Sequence, residues 1–163
     1  MPIAYIGVGS NLGNREQNCL RAVSRLSGKG VIVRKHSSLY ETEPWGVKDQ
    51  PGFLNMTLEI ETKEEPEVLL RILKNIEFEL GRQETCKWGP RVIDLDILLY
   101  DDRIVRTSDL QIPHPHMHKR DFVLRPLSEI APLKIHPVFR KSITRLLEEL
   151  QQDKLTEPEL SQN

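Results

Sequence analysis

Along the chain the spacing of apolar positions switches between two and about 3.6, marking the order strand, helix, strand, strand, helix, strand. Pro2 to Val8 (PIAYIGV) is apolar and β-rich, and GVGSNLGN after it reads as a glycine-rich turn into a helix. From about Asn14 to Ser27, Cys19, Leu20, Val23 and Leu26 recur at helical spacing and predict one inward face. Gly28-Lys29-Gly30 ends that helix, and VIVRKHSSLYET reads as one long second strand carrying His36 as a surface histidine. Leu54, Met56, Leu58 and Ile60 alternate with Asn55, Thr57, Glu59 and Glu61, the signature of a half-buried third strand. Pro66 opens a second helix with the stripe Leu69, Ile72, Leu73, Ile76 and Leu80, while Lys74, Glu77 and Arg82 fall off the stripe as surface charges. In WGPRVIDLDILLY, Ile93, Leu95, Ile97 and Leu99 share one face of a fourth strand, and Asp94 and Asp96 share the other.

This order predicts an α+β fold with a ferredoxin-like βαββαβ core: an antiparallel sheet with helices packed on one face and the other face free. Asp101-Asp102 predict a turn into a short strand around Arg103 to Arg106, giving a hairpin, and Ser142 to Gln151 a further amphipathic helix capped by Ser142. A chain of 163 residues suits one domain. We expect residues 1–151 to form it and 152–163 to be a frayed tail.

Composition narrows the chemistry. A formal net charge of -1 removes any chain-wide electrostatic case for nucleic acid or anionic membrane and leaves local basic clusters only. Cys19 and Cys86 lack a C-x-x-C partner, so neither a zinc ribbon nor a disulfide framework is expected. With no basic-then-apolar leader and no apolar run near membrane length, a soluble cytoplasmic protein is expected.

Gly7, Gly9 and Gly13 match neither the dinucleotide fingerprint nor a phosphate loop, and read as turn glycines allowing positive φ and close backbone approach. Asp94 and Asp96 are the sharper signal. Carboxylates two residues apart on a strand have Cα atoms roughly 7 Å apart and can converge on cations about 4 Å apart. An isolated pair would read as a solvated strand face. This pair sits in an apolar strand, with Gly89-Pro90 delivering Arg91 beside it, which favours a metal site. Two irregular stretches, EPWGVKDQPGF and RQETCKWGP, carry aromatics and read as loops over a site, the first as a lid. His114, His116 and His118 raise zinc as an alternative, weakened by flanking prolines and the lack of a fourth ligand. With Arg82, Lys87, Arg91, Lys119 and Arg120 as local cations, these are the parts for phosphoryl chemistry on a nucleotide.

Four ordered segments then resemble the 6-hydroxymethyl-7,8-dihydropterin pyrophosphokinase family: YIGVGSNLGNR, YETEPWG with QPGFLN, WGPRVIDLDIL, and IPHPHMHKRDFVLRPLSEIAP. The resemblance implies pyrophosphate transfer from ATP to the hydroxymethyl group of a reduced pterin, releasing AMP, in folate biosynthesis. It makes Asp94 and Asp96 ligands of two magnesium ions, with Asp96 a candidate proton acceptor. It sets Phe53 and Phe122 around the pterin, read by Asn55 and by Thr42, Glu43, Pro44 and Trp45. Lys74, Glu77, Trp88, Ile97, His114 and Arg120 would contact ATP, while Arg82 and Arg91 would neutralise charge during transfer. Asp121, where a small residue is usual, would weaken the grip of Arg120 on phosphate, and His116 stands where an arginine is common.

The implied partners are ATP and a reduced pterin, with no nucleic acid or membrane, a monomer as the expected state, and proximity to other folate-pathway enzymes. The competing class is a non-catalytic ligand- or RNA-binding module on the same fold. The acids on the fourth strand oppose it, because they repel phosphate unless a metal intervenes.

Overall fold

The computed structural model describes residues 1–42, 52–81 and 92–156. Strand β1 (Ile3–Ser10) leads into helix α1 (Arg15–Ser27), whose first turn is closed by Asn14, its Oδ1 accepting from the Gln17 N–H at 3.1 Å. Strands β2 (Ile32–His36) and β3 (Tyr40–Thr42) follow, then β4 (Phe53–Glu61), α2 (Pro66–Glu79) and β5 (Asp94–Tyr100). The sheet runs β2-β4-β1-β5 with β3 also on β4, and its pairs are antiparallel. That is the ferredoxin-like layout expected, with α1 and α2 on one face.

Several local expectations change. The long second strand is two, because Ser37 turns its hydroxyl to the backbone and accepts the Thr57 N–H at 2.9 Å, interrupting the ladder between β2 and β3. On α1, Leu20 is exposed, and Asn18 and Ala22 join Cys19 and Leu26 inside. The hairpin forms between β6 (Val105–Arg106) and β7 (Gln111–Ile112), not with β5. Between them Thr107 Oγ1 accepts the Leu110 N–H. Two helices follow, α3 (Asp121–Ile130) and α4 (Ile143–Thr156). Ser142 caps α4 as expected, its Oγ accepting from the Arg145 N–H at 3.1 Å, and the helix continues past Gln151.

The sheet's second face is not left free. The pairing of β5 with β1 shifts register between Tyr5 and Ile6, so that Ile6 faces Ile97 while Tyr5 faces Leu99. Leu98 is the extra residue of this bulge. Leu98 and Leu99 therefore both leave the main core and, with Tyr5, meet Met117, Leu124, Leu127 and Ile143 beneath α3 and α4. Tyr100 returns to the first core beside Leu95 and Ile97. Leu99, expected alongside Ile93 and Leu95, is thus on the opposite side. Among the described residues no helix is long and apolar enough to cross a membrane.

Candidate active site

The half of the second face that carries the acids, where Gly7, Asp94 and Asp96 stay partly exposed, is built from two cross-strand rows. Asn55 of β4, Gly9 of β1 and Asp94 of β5 form one; Thr57, Gly7 and Asp96 form the next. With strands about 4.8 Å apart, Asn55 and Asp94 stand on backbones about 10 Å apart. The two glycines make the floor between them pure main chain. They belong to β1 and not to a turn, and in this stretch only Gly13 has a positive φ, 73°. A Cβ on Gly9 would lie 3.1 Å from Asn55 Oδ1 and 3.4 Å from Phe53 Cδ1, so glycine lets those two side chains lie over β1.

Around the aspartates the charges are close. Burial first, then Asp94 and Glu77, push the Asp96 carboxyl up to about 7, with Lys74 and Arg120 acting the other way. Glu77 is not the surface charge its spacing suggested. It is 2 % exposed, and its Oε2 accepts the Leu95 N–H at 2.7 Å while Lys74 Nζ stands 3.5 Å from Oε1. The Ile97 side chain lies in the core, leaving its main chain as the part that can face a ligand. Burial, then Arg120 and His116, lowers the His114 pKa to about 4, so its ring is neutral near pH 7. Its Nδ1 accepts the His116 N–H at 3.2 Å, which assigns the ring proton to Nε2, a donor. The Arg120 guanidinium sits 5.6 Å over the Phe122 ring. Asp121 does not engage Arg120: its carboxylate takes two bonds from Arg125, at 3.0 and 3.1 Å.

A cleft of about 710 Å³ adjoins these residues, lined by Thr42, Gly52, Lys119, Arg120, Phe122 and Lys154 among others. Asn55 Nδ2 donates to Thr42 Oγ1 at 2.9 Å, tying β4 to the cleft wall. Arg15 donates to Glu41 Oε1 and to the Gly52 carbonyl, both at 2.8 Å. A Cβ on Gly52 would overlap the Thr42 carbonyl oxygen. Arg15, Gly52 and Lys154 were not singled out from the sequence, and Gly9 was read there only as a turn glycine. Pro51-Gly52 was a local turn signal, whereas Arg15 and Lys154 reach the site through contacts far along the chain that no local pattern carries.

Of the residues expected at the site, Thr42, Phe53, Asn55, Lys74, Glu77, Asp94, Asp96, Ile97, His114, Arg120 and Phe122 lie on or beside the acid-bearing half-face and its cleft. Glu43, Pro44, Trp45, Arg82, Trp88 and Arg91 lie outside the described residues. The three histidines do not converge. His114 and His116 have ring centroids 6.0 Å apart, while His118 packs against Phe139 at 4.6 Å. Among the described residues no group of three His, Cys, Asp or Glu side chains is placed to hold a metal. Two carboxylates, one with its proton affinity raised by burial and then by the other, fit a hard divalent cation completed by water and phosphate oxygens, and not a closed zinc site.

An acid pair, flanking cations and an aromatic-edged cleft thus meet on a ferredoxin-like sheet. Residues 5–132 match the 7,8-dihydro-6-hydroxymethylpterin-pyrophosphokinase (HPPK) family, and the chain belongs to it. Membership makes it an ATP-dependent pyrophosphokinase by class.

Among its relatives is the 2-amino-4-hydroxy-6-hydroxymethyldihydropteridine pyrophosphokinase of Aquifex aeolicus, 46% identical over 88% of this chain and 89% of that protein. The protein of the same name from Bacillus subtilis is 50% identical over 78% of this chain and 77% of its own length. A folic acid synthesis protein of Dictyostelium discoideum is 44% identical, and this chain spans only 22% of it. The fold is that of a crystal structure of an HPPK-DHPS protein in complex with substrates, with a TM-score of 0.75, 17% identity, and coverage of 96% of this chain and 46% of that one.

Proposed function

We propose that this enzyme moves pyrophosphate from ATP to the hydroxyl of 6-hydroxymethyl-7,8-dihydropterin, releasing AMP, in folate biosynthesis, by in-line attack on the β-phosphorus. The row Asn55–Gly9–Asp94 is the observation that carries this reading. A flat acceptor read by Asn55 and Thr42 and stacked by Phe53 and Phe122 would extend its arm along this row toward Asp94. Stacking adds about 1 kcal/mol beyond area burial.

Asp94 and Asp96 would hold two magnesium ions. When bound, these would supply charge neutralisation of the phosphates and activation of the attacking hydroxyl. Asp96 as proton acceptor is secondary to that role. Arg120 brings a cation to the same space, and the neutral His114 ring offers Nε2–H to a phosphate or nucleotide oxygen without competing for a proton. Lys74, Glu77, Trp88 and the Ile97 main chain complete the proposed ATP contacts. Glu43, Pro44 and Trp45 complete the acceptor side, and Arg82 and Arg91 the charge neutralisation. Cytoplasmic operation as a monomer, near other folate enzymes, belongs to the same proposal; two relatives named folate synthesis bifunctional protein, from Arabidopsis thaliana, support the proximity.

Product analysis with ATP, Mg²⁺ and the reduced pterin alcohol tests the reading. AMP and the pterin diphosphate should form one to one. ADP in place of AMP would mean attack at the γ-phosphorus and would remove the pyrophosphoryl assignment.

A further inference from the structure

In the order β2-β4-β1-β5, strand β5 has β1 on one edge and no hydrogen-bonded strand on the other among the described residues. An edge strand carrying two acids side by side is poorly held by its ladder alone, because like charges two residues apart push on a backbone supported from one side. Among the described residues two bonds grip the outer edge of β5. Leu95 N–H donates to Glu77 Oε2 at 2.7 Å, and the His114 N–H donates to the Leu98 carbonyl at 3.0 Å. Leu95 lies between Asp94 and Asp96, and its N–H belongs to the peptide that joins it to Asp94, so holding that amide fixes the strand between the two carboxylates.

Glu77 is an unexpected residue for this place. It lies on the buried side of α2 with Leu69, Leu73 and Ile76, where an apolar side chain would pack without bringing a third acid toward the pair. A buried carboxyl is costly unless its oxygens are bonded. Here one oxygen takes a main-chain amide that would otherwise be buried without a strand partner.

We propose that Glu77 is a positioning residue: by accepting the Leu95 amide hydrogen it fixes β5 at the Asp94–Asp96 pair and so sets the spacing of the two carboxylates. This rests on the metal-binding reading of that pair. This role is separate from a direct contact between Glu77 and ATP, because it needs an acceptor atom facing the Leu95 amide and not the negative charge. Glu77→Gln keeps a carbonyl oxygen for Leu95, and the 56 %-exposed Lys74 can swing away from the new amide. Glu77→Ala removes the acceptor.

The experiment compares these variants by NMR exchange of the Leu95 amide in the resting protein, by Mn²⁺ titration with and without a non-hydrolysable ATP analogue, and by kcat against KM for ATP. In Glu77→Ala the Leu95 amide should exchange at least about 10-fold faster, and Mn²⁺ affinity and kcat should fall about 10- to 100-fold. In Glu77→Gln the Leu95 exchange rate and the Mn²⁺ affinity should stay within about threefold of the parent, whatever the KM for ATP does. Should Glu77→Ala not fold, Glu77→Met fills the space without an acceptor and carries the same expectations. Glu77→Gln as impaired as Glu77→Ala in exchange and Mn²⁺ affinity would overturn the proposal, as would unchanged exchange and Mn²⁺ affinity in Glu77→Ala with only the KM for ATP raised. Exchange is read without turnover, so it stands apart from the functional reading, which an absence of AMP would remove.

Discussion

One face of one sheet does two opposite things. Toward the ends of β1 and β5 that carry Gly9 and Asp94, it presents glycines and acids, with Asp94 and Asp96 partly exposed. A few residues away, Tyr5, Leu98 and Leu99 are sealed under α3 and α4 with Met117, Leu124 and Leu127. The bulge at Leu98 is the boundary, since it turns two consecutive leucines to the same side and ends the row of acids. The sealed half gains stability from apolar burial, and the acid-bearing half spends some of it by crowding carboxylates, which a proton on Asp96 or a bound cation relieves. Substitutions in the two halves should therefore fail in different ways.

The largest contrast is expected at the acids. Asp94→Asn or Asp96→Asn should lower turnover by roughly three orders of magnitude while the metal-free protein keeps its circular dichroism spectrum. Near-normal product formation in Asp94→Asn would remove the two-metal assignment.

On the sealed half, Leu99→Ala should cost about 2–5 kcal/mol in urea unfolding, with turnover per folded molecule retained. Equal losses of stability and specific activity would mean the two halves are not separable.

Gly9→Ala tests the floor between them. Its methyl group would press on Asn55 and Phe53, so the KM for the pterin should rise on the order of 10-fold with little change in melting temperature. A change in the ATP KM alone would place the strain elsewhere.

The pH dependence follows from Asp96. Its carboxyl, raised to about 7 by burial, Asp94 and Glu77, keeps its proton in the folded chain where the unfolded chain has lost it. That contribution to stability is present below about pH 4 and is lost as pH rises through about 7. Metal-free protein should lose several degrees of melting temperature between about pH 5 and 8, at about 2–4 °C per kcal/mol, and Mg²⁺ should restore more at the upper end. Asp96→Asn should flatten the slope; a parent melting temperature that climbs over this range would contradict the crowding of the acids.

Smallest of all, Ser142→Ala should cost about 1 kcal/mol through the lost α4 cap, without touching turnover, as read by thermal melts beside the product assay.

Much of this was legible along the chain. Alternation in β4, the proline start of α2 and the strand carrying Asp94 and Asp96 are local patterns, and local geometry obeys them because side-chain direction follows residue parity in a strand. The family resemblance likewise followed from ordered segments. What parity could not foresee was a bulge, which reassigns Leu99 to a second core, or Ser37 breaking one expected strand into two, since each depends on a partner strand distant in sequence. Glu77 shows the limit most clearly. Its spacing alone read as a surface charge, and only the docking of α2 along the outer edge of β5 gave its carboxyl an amide to hold. Residue order determined which chemistry the chain carries. Tertiary structure decided which atoms share a site, because strand register, sheet order and helix docking set distances between residues that sequence separation does not encode.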